Sequence, residues 1–467
     1  MSNRFCGFDI DRVGSLKKAL EAVPGSAGQL SRDIASAVEE ADRIALAAAG
    51  LSNRAFYDEA VSYDTDPDRA GLRTVSSAGP DTAAEIGRRL AHLLACQQLA
   101  HDGFTVDASD AFADAPPPDE AKIKAALSAL RAQINHKGEI DPGAIGQVDN
   151  QVCGLSKTET EAFVGALSDD ELGQWNILNA LATFTGGVDE TLRVSLASSL
   201  LSKLPTDDVR RVAAHMNGLE PSFADTEGAG NADQKDLHWV WPDGSLYNGQ
   251  PNIEEITQGD LGDCWFLAAL GAEVQENPQF IQQHMTDNGN GTYTVTFYRD
   301  GQPVPITVDG QLPYNSWDQT AFTHPGDANW PAIYEKAFAQ FHGSYSSIEG
   351  GYGADGLSAL SGTKATKVPP AFVSPALLQA AIQSGHPVTA GTDSHHSGFL
   401  WLHSDEYFDG GKLVTLHEYT VESIDTSKNP PEVTLRNPWG AGAAAPEIVH
   451  LIWDEFTSHY TEVSLGE

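Results

Sequence analysis

The amino-acid sequence predicts an α+β domain preceded by an all-α domain, and three features of the chain support this division. Residues 1–216 carry apolar side chains at helical spacing. Residues 217–236 are polar, contain glycine and have almost no large apolar side chains, which is typical of a linker. Residues 237–467 combine alternating β-branched and aromatic segments with shorter helical segments. We therefore expect a helical domain, a linker and a mixed domain within these limits.

Helix starts in the first domain are indicated by three capping boxes, in which a serine or threonine is followed three residues later by glutamate. The hydroxyl accepts a hydrogen bond from the third helical N–H, and the glutamate accepts one from the backbone N–H of the capping residue. These boxes begin at Thr82, Ser156 and Ser168. The stretch 63–80 is rich in Asp, Gly, Pro and Ser and is predicted to be a loop. The apolar stripes of this region are interpreted as the core of a helical bundle.

The second domain contains a hairpin signal and several other predicted elements. Residues 293–298 and 304–308 alternate apolar and polar side chains, and Asp300-Gly301 between them is a turn signal. The other predicted strands are 412–416, 417–421 and 433–435, and the predicted helices are 264–276, 329–342 and 374–384.

The chain is strongly acidic, since 65 Asp and Glu residues outweigh 28 Lys and Arg residues and give a net charge of −37 at pH 7. Such a surface repels phosphate backbones and anionic lipid, so we expect neither nucleic acid nor membrane as a partner. No apolar run is long enough to span a bilayer, and residues 1–5 lack the apolar stretch of a signal peptide. We expect a cytoplasmic protein, or one exported by a route that needs no signal peptide.

The four cysteines are too few and too scattered for a disulfide framework, and none belongs to a Cys-x-x-Cys pair. They are Cys6, Cys96, Cys153 and Cys264. We expect a reducing compartment in which at most one thiol is chemically active. Four histidines between residues 386 and 403 are alternative metal ligands, but no His-Glu-x-x-His helix accompanies them, and they are interpreted as loop residues.

The segment from Gln258 to Leu270 has the features of a nucleophile segment. A glycine-bearing loop, 259–263, leads into an apolar run that begins at Cys264. A thiol reacts as thiolate, and the dipole of a helix N-terminus lowers its pKa. Across such a loop, the Gln258 amide and the Cys264 N–H would supply two hydrogen bonds to an oxyanion. The alternative interpretation is a buried, unreactive cysteine next to a helix cap.

Three motifs together resemble the calpain catalytic core, which has the papain fold. Gln258-Gly-Asp-Leu-Gly-Asp-Cys-Trp-Phe-Leu267 resembles the calpain nucleophile segment. Leu416-His-Glu-Tyr-Thr-Val421 resembles the histidine strand, although calpains usually have Gly before that histidine and Ala after it. Leu435-Arg-Asn-Pro-Trp-Gly440 matches the asparagine segment. The resemblance covers about residues 236–460 and is of a prokaryotic type, with an unassigned helical N-terminal region. It implies a two-lobed fold, with the cysteine in a helical lobe and the histidine and asparagine in a β lobe.

The resemblance implies a cysteine endopeptidase that hydrolyses peptide bonds of protein substrates through an acyl-enzyme. His417 would take the proton of Cys264, and Asn437 would orient the imidazole ring. Gln258 would belong to the oxyanion hole, and Trp439 would cover the contact between asparagine and histidine.

Calcium is the point at which this sequence departs from the family, whose cores bind two Ca²⁺ ions through acidic loops. Glu255 occupies one ligand position, nine residues before the cysteine. The position of its partner holds Ala328, with Asp327 displaced by one residue, and the alanine-rich stretch 441–446 replaces the acidic loop of the second site. We therefore expect no required cofactor, and Glu255 remains a candidate ligand for one weak calcium site.

Two other functions remain open from the sequence. The same three side chains would serve an amidase, an acyltransferase or a transglutaminase, because fold does not decide substrate. A non-catalytic interaction protein is the second alternative, although such proteins usually lose the cysteine or the histidine. Residues 1–216 are interpreted as a prodomain or targeting module, with an intramolecular contact to the catalytic cleft as one hypothesis.

Overall fold

The structure is a computed structural model that describes most of residues 72–467. The residues outside the description are 1–71, 108–109, 111–112, 139, 187, 224–225, 227–236, 325, 327, 394, 398–402, 406 and 409–411. The chain forms two compact units, one of residues 1–136 with 154–171 and the other of residues 137–153 with 172–467. No helix among the described residues is long and apolar enough to cross a membrane.

Helices dominate the described part of the chain that precedes the first strand. They are α1 (Leu72–His101), α2 (Glu120–Ile134), α3 (Pro142–Cys153), α4 (Lys157–Gly165), α5 (Asp169–Phe184), α6 (Glu190–Lys203) and α7 (Thr206–His215). The capping boxes at Ser156 and Ser168 are confirmed, because in each the serine hydroxyl accepts from the glutamate N–H and the carboxylate accepts from the serine N–H. In the first unit, Arg131 of α2 donates to Glu171 at 2.6 Å.

The helix start predicted at Thr82 is wrong. Helix α1 begins at Leu72, so the loop predicted over 63–80 is also wrong for residues 72–80. The helix continues through the glycine and proline at 79 and 80, although both residues disfavour a helix interior. Residues 63–71 of the predicted loop lie outside the described residues.

The remaining elements alternate between strands and helices. The helices are α8 (Cys264–Glu276), α9 (Phe280–His284), α10 (Trp330–His342), α11 (Gly353–Ser361), α12 (Pro375–Gln383) and α13 (Trp453–His459). The strands are β1 (His238–Val240), β2 (Met285–Asp287), β3 (Thr292–Arg299), β4 (Gln302–Asp309), β5 (Leu312–Tyr314), β6 (Thr366–Val368), β7 (Val388–Thr392), β8 (His395–Ser397), β9 (His403–Asp405), β10 (Tyr407–Phe408), β11 (Leu413–Val414), β12 (Glu418–Asp425), β13 (Glu432–Arg436), β14 (Ile448–Ile452) and β15 (Tyr460–Leu465).

The strands form a six-stranded antiparallel sheet in the order β14-β13-β12-β7-β15-β6, a three-stranded sheet β2-β3-β4 and smaller pairs. One hydrophobic cluster surrounds α8, α10 and β3, and a second covers the six-stranded sheet against α12 and α13. Helix α8 is buried from Trp265 to Val274 because its sequence is apolar on every side. Thr420 of β12 donates to the Ala268 carbonyl at 2.7 Å, which joins the sheet to this helix.

The helix predicted at 264–276 and the hairpin predicted at 293–308 are confirmed. Asp300 and Gly301 have φ angles of 52° and 72°, which the two-residue turn requires. The strand predicted at 412–416 is only Leu413–Val414, because Leu416 has φ of 49° and cannot continue an extended chain.

Helix α6 packs on β4 within the second unit. Ser198 Oγ accepts from the Thr307 N–H at 3.0 Å, and Asn290 Nδ2 donates to the Leu204 carbonyl at 2.7 Å. The chain from α6 onward thus shares one compact unit with the three-stranded sheet. The predicted domain limits at 1–216, 217–236 and 237–467 stay a prediction, because residues 227–236 lie outside the described residues.

Candidate active site

The loop 257–263 leads into α8 and is fixed against a neighbouring segment. The Asp260 N–H donates to the Ala321 carbonyl at 3.2 Å. A Cβ atom at Gly259 would lie 1.8 Å from the Phe322 carbonyl oxygen, so only glycine allows this approach. The glycine-bearing loop predicted from the sequence therefore exists, and its shape depends on backbone contact with residues 321–322.

Cys264 is the first residue of α8 and is half-buried. Burial raises the pKa of its thiol to about 12, and a hydrogen bond from the Glu418 backbone N–H opposes this rise. The charges of Glu418 and Asp263 add to the rise. Burial thus outweighs the lowering expected at a helix N-terminus, and the thiol stays protonated at neutral pH unless a base takes its proton.

His417 lies directly before β12, and its ring is held by Asn437. The His417 Nε2 atom is 2.8 Å from Asn437 Oδ1. The same oxygen accepts from the Trp439 N–H at 3.0 Å, so it is an acceptor and Nε2 must carry the proton. This tautomer leaves Nδ1 as the basic nitrogen. Burial lowers the pKa of His417 to about 4, opposed by the Asn437 hydrogen bond.

Two aromatic rings enclose the imidazole of His417. The Trp439 ring lies with its centroid 5.1 Å away at 58°, and the Tyr419 ring lies 5.1 Å away at 90°. His417 and Asn437 are 6% and 1% exposed, so their contact is shielded from water. Trp439 is at the place where the sequence predicted a covering tryptophan.

Two contacts join the segment around Cys264 to the segments that carry His417 and Asn437. The thiol of Cys264 accepts from the N–H of Glu418, the residue that follows His417. The Gln258 N–H donates to the Pro438 carbonyl at 2.8 Å, next to Asn437. The cysteine, histidine and asparagine predicted from the sequence are thus brought to one place. The described residues show no hydrogen bond between the thiol and the imidazole.

Gln258 uses its amide protons inside the loop. Nε2 donates to the Leu261 carbonyl at 2.6 Å and to Asp263 Oδ1 at 3.3 Å. The Oε1 atom is buried and has no hydrogen-bond partner among the described residues. An oxyanion would have to replace one of these two acceptors, so the predicted part of Gln258 in an oxyanion hole stays a prediction.

The Glu255 carboxylate is already hydrogen-bonded to the first residue of α10. Its Oε2 accepts from the Trp330 indole N–H at 2.7 Å and from the Asn252 N–H at 3.1 Å. The partner position, Ala328, is buried and has no oxygen ligand in its side chain, and Asp327 lies outside the described residues. The residues present do not fit a two-ion calcium core. Calcium binding stays untested.

Three buried acids around the cysteine were not found from the sequence as functional residues. Asp263, directly before Cys264, is 0% exposed, and Glu335 of α10 is 1% exposed. Glu335 was visible only as an acid inside a mostly apolar helix. Glu418, where the family usually has alanine, is buried and accepts from Thr389 Oγ1 at 2.5 Å. Burial raises the pKa of Glu418 to about 8.

Part of the chain is similar to known cysteine proteases of the calpain family. The profile of the calpain family of cysteine proteases matches residues 224–446. The chain is 31% identical over 237 residues to the calpain-type cysteine protease DEK1 of Arabidopsis thaliana, covering 46% of this chain and 11% of that protein. It is 35% identical over 202 residues to calpain-13 of Rattus norvegicus, covering 40% and 29%. It is 30% identical over 239 residues to calpain-14 of Homo sapiens, covering 47% and 34%. The chain thus spans about a third or less of these relatives.

Proposed function

We propose that the chain is a cysteine endopeptidase in which Cys264, His417 and Asn437 form the catalytic triad, since residues 224–446 match the calpain family of cysteine proteases. The observation that carries this proposal is the tautomer of His417. Its Nε2–H is fixed by Asn437 Oδ1 at 2.8 Å, which leaves Nδ1 to act as base. A papain-like arrangement, with a helical lobe around α8 and a β lobe around β12, is part of the proposal.

The mechanism begins with transfer of the Cys264 proton to His417 Nδ1. The separate groups favour their neutral forms, because burial raises the thiol pKa to about 12 and lowers the imidazole pKa to about 4. Each charge stabilises the other, so the thiolate–imidazolium pair forms once the ring reaches the thiol. Asn437 keeps the ring oriented without adding a negative charge.

The thiolate then attacks the scissile carbonyl, and the oxyanion accepts hydrogen bonds from the Cys264 N–H and from the Gln258 amide. To do so, Gln258 exchanges its 3.3 Å bond to Asp263 for the oxyanion, because this is the longer of its two bonds. The His417 imidazolium protonates the leaving amine. Water, deprotonated by His417, releases the acyl group and restores the thiol.

Protein substrates are the partners that we propose, and no cofactor takes part in these steps. The net charge of −37 argues against nucleic acid and anionic membrane as partners. We propose that the protein acts in the cytoplasm, or after export by a route that needs no signal peptide. Control of the cleft by residues 1–216 is a further hypothesis.

The test is proteolysis of a denatured, fluorescently labelled protein together with labelling by a thiol-directed epoxide. We expect Cys264→Ala to lower kcat/KM by about 10⁴ or more and to abolish labelling. Asn437→Ala should lower kcat/KM by about 10² because the ring loses its orientation. Cys153→Ala, at a second free cysteine of the same unit, is the matched control and should leave both unchanged.

Proteolysis that persists in Cys264→Ala would refute the triad. Turnover of a small amide without cleavage of proteins would instead favour an amidase or acyltransferase. Loss of labelling in Cys153→Ala rather than in Cys264→Ala would place the reactive thiol elsewhere.

A further inference from the structure

Two carboxyl groups lie side by side behind the nucleophile. Asp263 and Glu335 are 0% and 1% exposed, and their side chains are hydrogen-bonded to each other. A hydrogen bond between two carboxyl groups requires a proton on one of them. The pair therefore holds one proton and one negative charge.

The surrounding donors show which of the two is charged. Both oxygens of Glu335 accept from the Thr323 N–H at 3.1 Å, and Oε1 also accepts from the Thr323 hydroxyl at 2.5 Å. Asp263 accepts the 3.3 Å bond from Gln258 at Oδ1 and one hydrogen bond from its own backbone N–H, and Oδ2 has no further partner among the described residues. Donors stabilise a carboxylate, so Glu335 is the carboxylate and Asp263 Oδ2 carries the proton.

This pair connects three parts of the site. Glu335 belongs to α10, and Asp263 is the last residue of the loop that leads into Cys264. Thr323, which donates to Glu335, directly follows the residues 321–322 that lie against Gly259. The shared proton thus links the loop that leads into Cys264 to helix α10.

We propose that Asp263 and Glu335 are a proton-sharing pair of positioning residues, which hold Gln258 and Cys264 in their reactive arrangement and release them when the shared proton is lost at alkaline pH. This inference rests on the proposed function and adds to it the regulation of the same site by pH.

The direction of the effect follows from charge. Loss of the proton leaves two adjacent carboxylates in a buried site, and they repel each other. The added charge on Asp263 also opposes formation of the Cys264 thiolate. Burial raises the pKa of Asp263 well above its usual range and that of Glu335 to about 7, so the shared proton is retained at neutral pH.

Other titratable groups near the pair do not supply this proton. Tyr345 faces both acids, and burial raises its pKa well above its usual value, so it remains neutral. Lys336, the next residue on α10, contacts Asp309 and Glu220 at 2.6 Å each. On the other side of the pair stand the Gln258 amide, which does not titrate, and the Cys264 thiol.

The test uses Glu335→Gln and Asp263→Asn in the full chain. In each variant an amide donates the hydrogen bond that the shared proton makes, and the pair keeps one negative charge at neutral pH. The bond no longer depends on a titrating proton. We therefore expect the alkaline limb of the pH profiles of kcat/KM and of Cys264 alkylation by iodoacetamide to move upward by at least one pH unit. At pH 6, Asp263→Asn should lose no more than about threefold, because the charge stays on Glu335. Glu335→Gln should lose more, because its remaining charge lies on Asp263 and opposes the Cys264 thiolate.

Glu273→Gln is the matched control, because Glu273 is a buried acid of α8 whose pKa is also raised to about 7 by burial. It should leave the alkaline limb unchanged. Melting temperature measured against pH gives a second readout that does not depend on proteolysis. Since the folded-state pKa values are raised, the native protein should lose stability as pH rises from about 5 to 9, and each variant should lose less.

Equal alkaline limbs and equal melting curves in the native protein and both variants would overturn the pairing. A shift of the same size in the alkaline limb of Glu273→Gln would also overturn it. A native protein that cleaves no substrate, yet shows the expected difference in melting temperature, would refute the proposed function and leave the pair standing.

Discussion

The buried charge of Lys336 allows a stability prediction with a defined magnitude. Its side chain is 0% exposed and its Nζ lies 2.6 Å from Asp309 Oδ1 and 2.6 Å from Glu220 Oε2. The ammonium is also 4.4 Å from the centre of the Trp239 ring. One lysine cannot neutralise two carboxylates, so the two acids differ in charge.

The ionised partner of Lys336 is Asp309. Lys336 and the hydrogen bonds from Gln311 lower the pKa of Asp309 despite its burial. Burial and the charge of Asp309 raise the pKa of Glu220 to about 8. At pH 7 the cluster is therefore Lys⁺, Asp⁻ and a protonated glutamate, with no net charge.

We expect Lys336→Met to lower the free energy of unfolding by about 3–5 kcal/mol, because it leaves the Asp309 carboxylate buried without a counterion. Glu220→Gln should cost less than about 1 kcal/mol, because the glutamate is already neutral and an amide keeps its shape. The measurement is urea unfolding of the full chain, compared by midpoint and slope.

The matched control is Lys367→Met, which removes a half-exposed contact of 3.3 Å to Glu462 and should cost about 1 kcal/mol or less. If Lys336→Met cost no more than this control, the buried charge would not contribute as argued. A large loss in Glu220→Gln would show instead that Glu220 is ionised and that the assignment of charges is wrong.

Three further outcomes follow from the structure. Leu416→Gly should raise the free energy of unfolding by up to about 1 kcal/mol in urea unfolding, because Leu416 has φ of 49°. The control Val414→Gly in β11 should lower it by about 2 kcal/mol or more, because it removes a buried side chain, and a loss in Leu416→Gly would contradict the reasoning. A fragment of 237–467 should unfold at lower urea than 137–467, because it lacks α6, which packs on β4; equal midpoints would contradict this. Chelation with EDTA should change kcat/KM by less than twofold, since the Glu255 carboxylate already accepts two hydrogen bonds; restoration of lost activity by Ca²⁺ would contradict it.

Local signals explain what the sequence predicted well. The start of α8 follows from a glycine-bearing loop that meets an apolar run at Cys264, and both are read within thirteen residues. The β3–β4 hairpin follows from Asp300-Gly301, which tolerates positive φ. The meeting of Cys264 with the His417 strand came from motif order, which depends on resemblance rather than on local pattern.

Non-local contacts explain what the sequence did not predict. Asp263 and Glu335 are 72 positions apart, and each alone reads as an ordinary acid. The shortening of the strand before His417 depends on Leu416 adopting a left-handed backbone that leucine disfavours. Thr82 and Glu85 have the residue types of a capping box, but they lie inside α1. The surrounding helix overrides this four-residue signal.

Helix α10 explains how two buried acid clusters coexist near one cysteine. Glu335 and Lys336 are consecutive, and successive residues of a helix point about 100° apart, so one faces the nucleophile loop and the other faces β4. In the cluster of Lys336 the lysine neutralises Asp309, and Glu220 holds a proton that it loses only near pH 8. In the pair of Asp263 and Glu335, a shared proton compensates one of the two negative charges, so the pair is sensitive to pH. Alkaline pH therefore adds a negative charge to both clusters, but only the pair of Asp263 and Glu335 includes a residue of the loop that leads into Cys264.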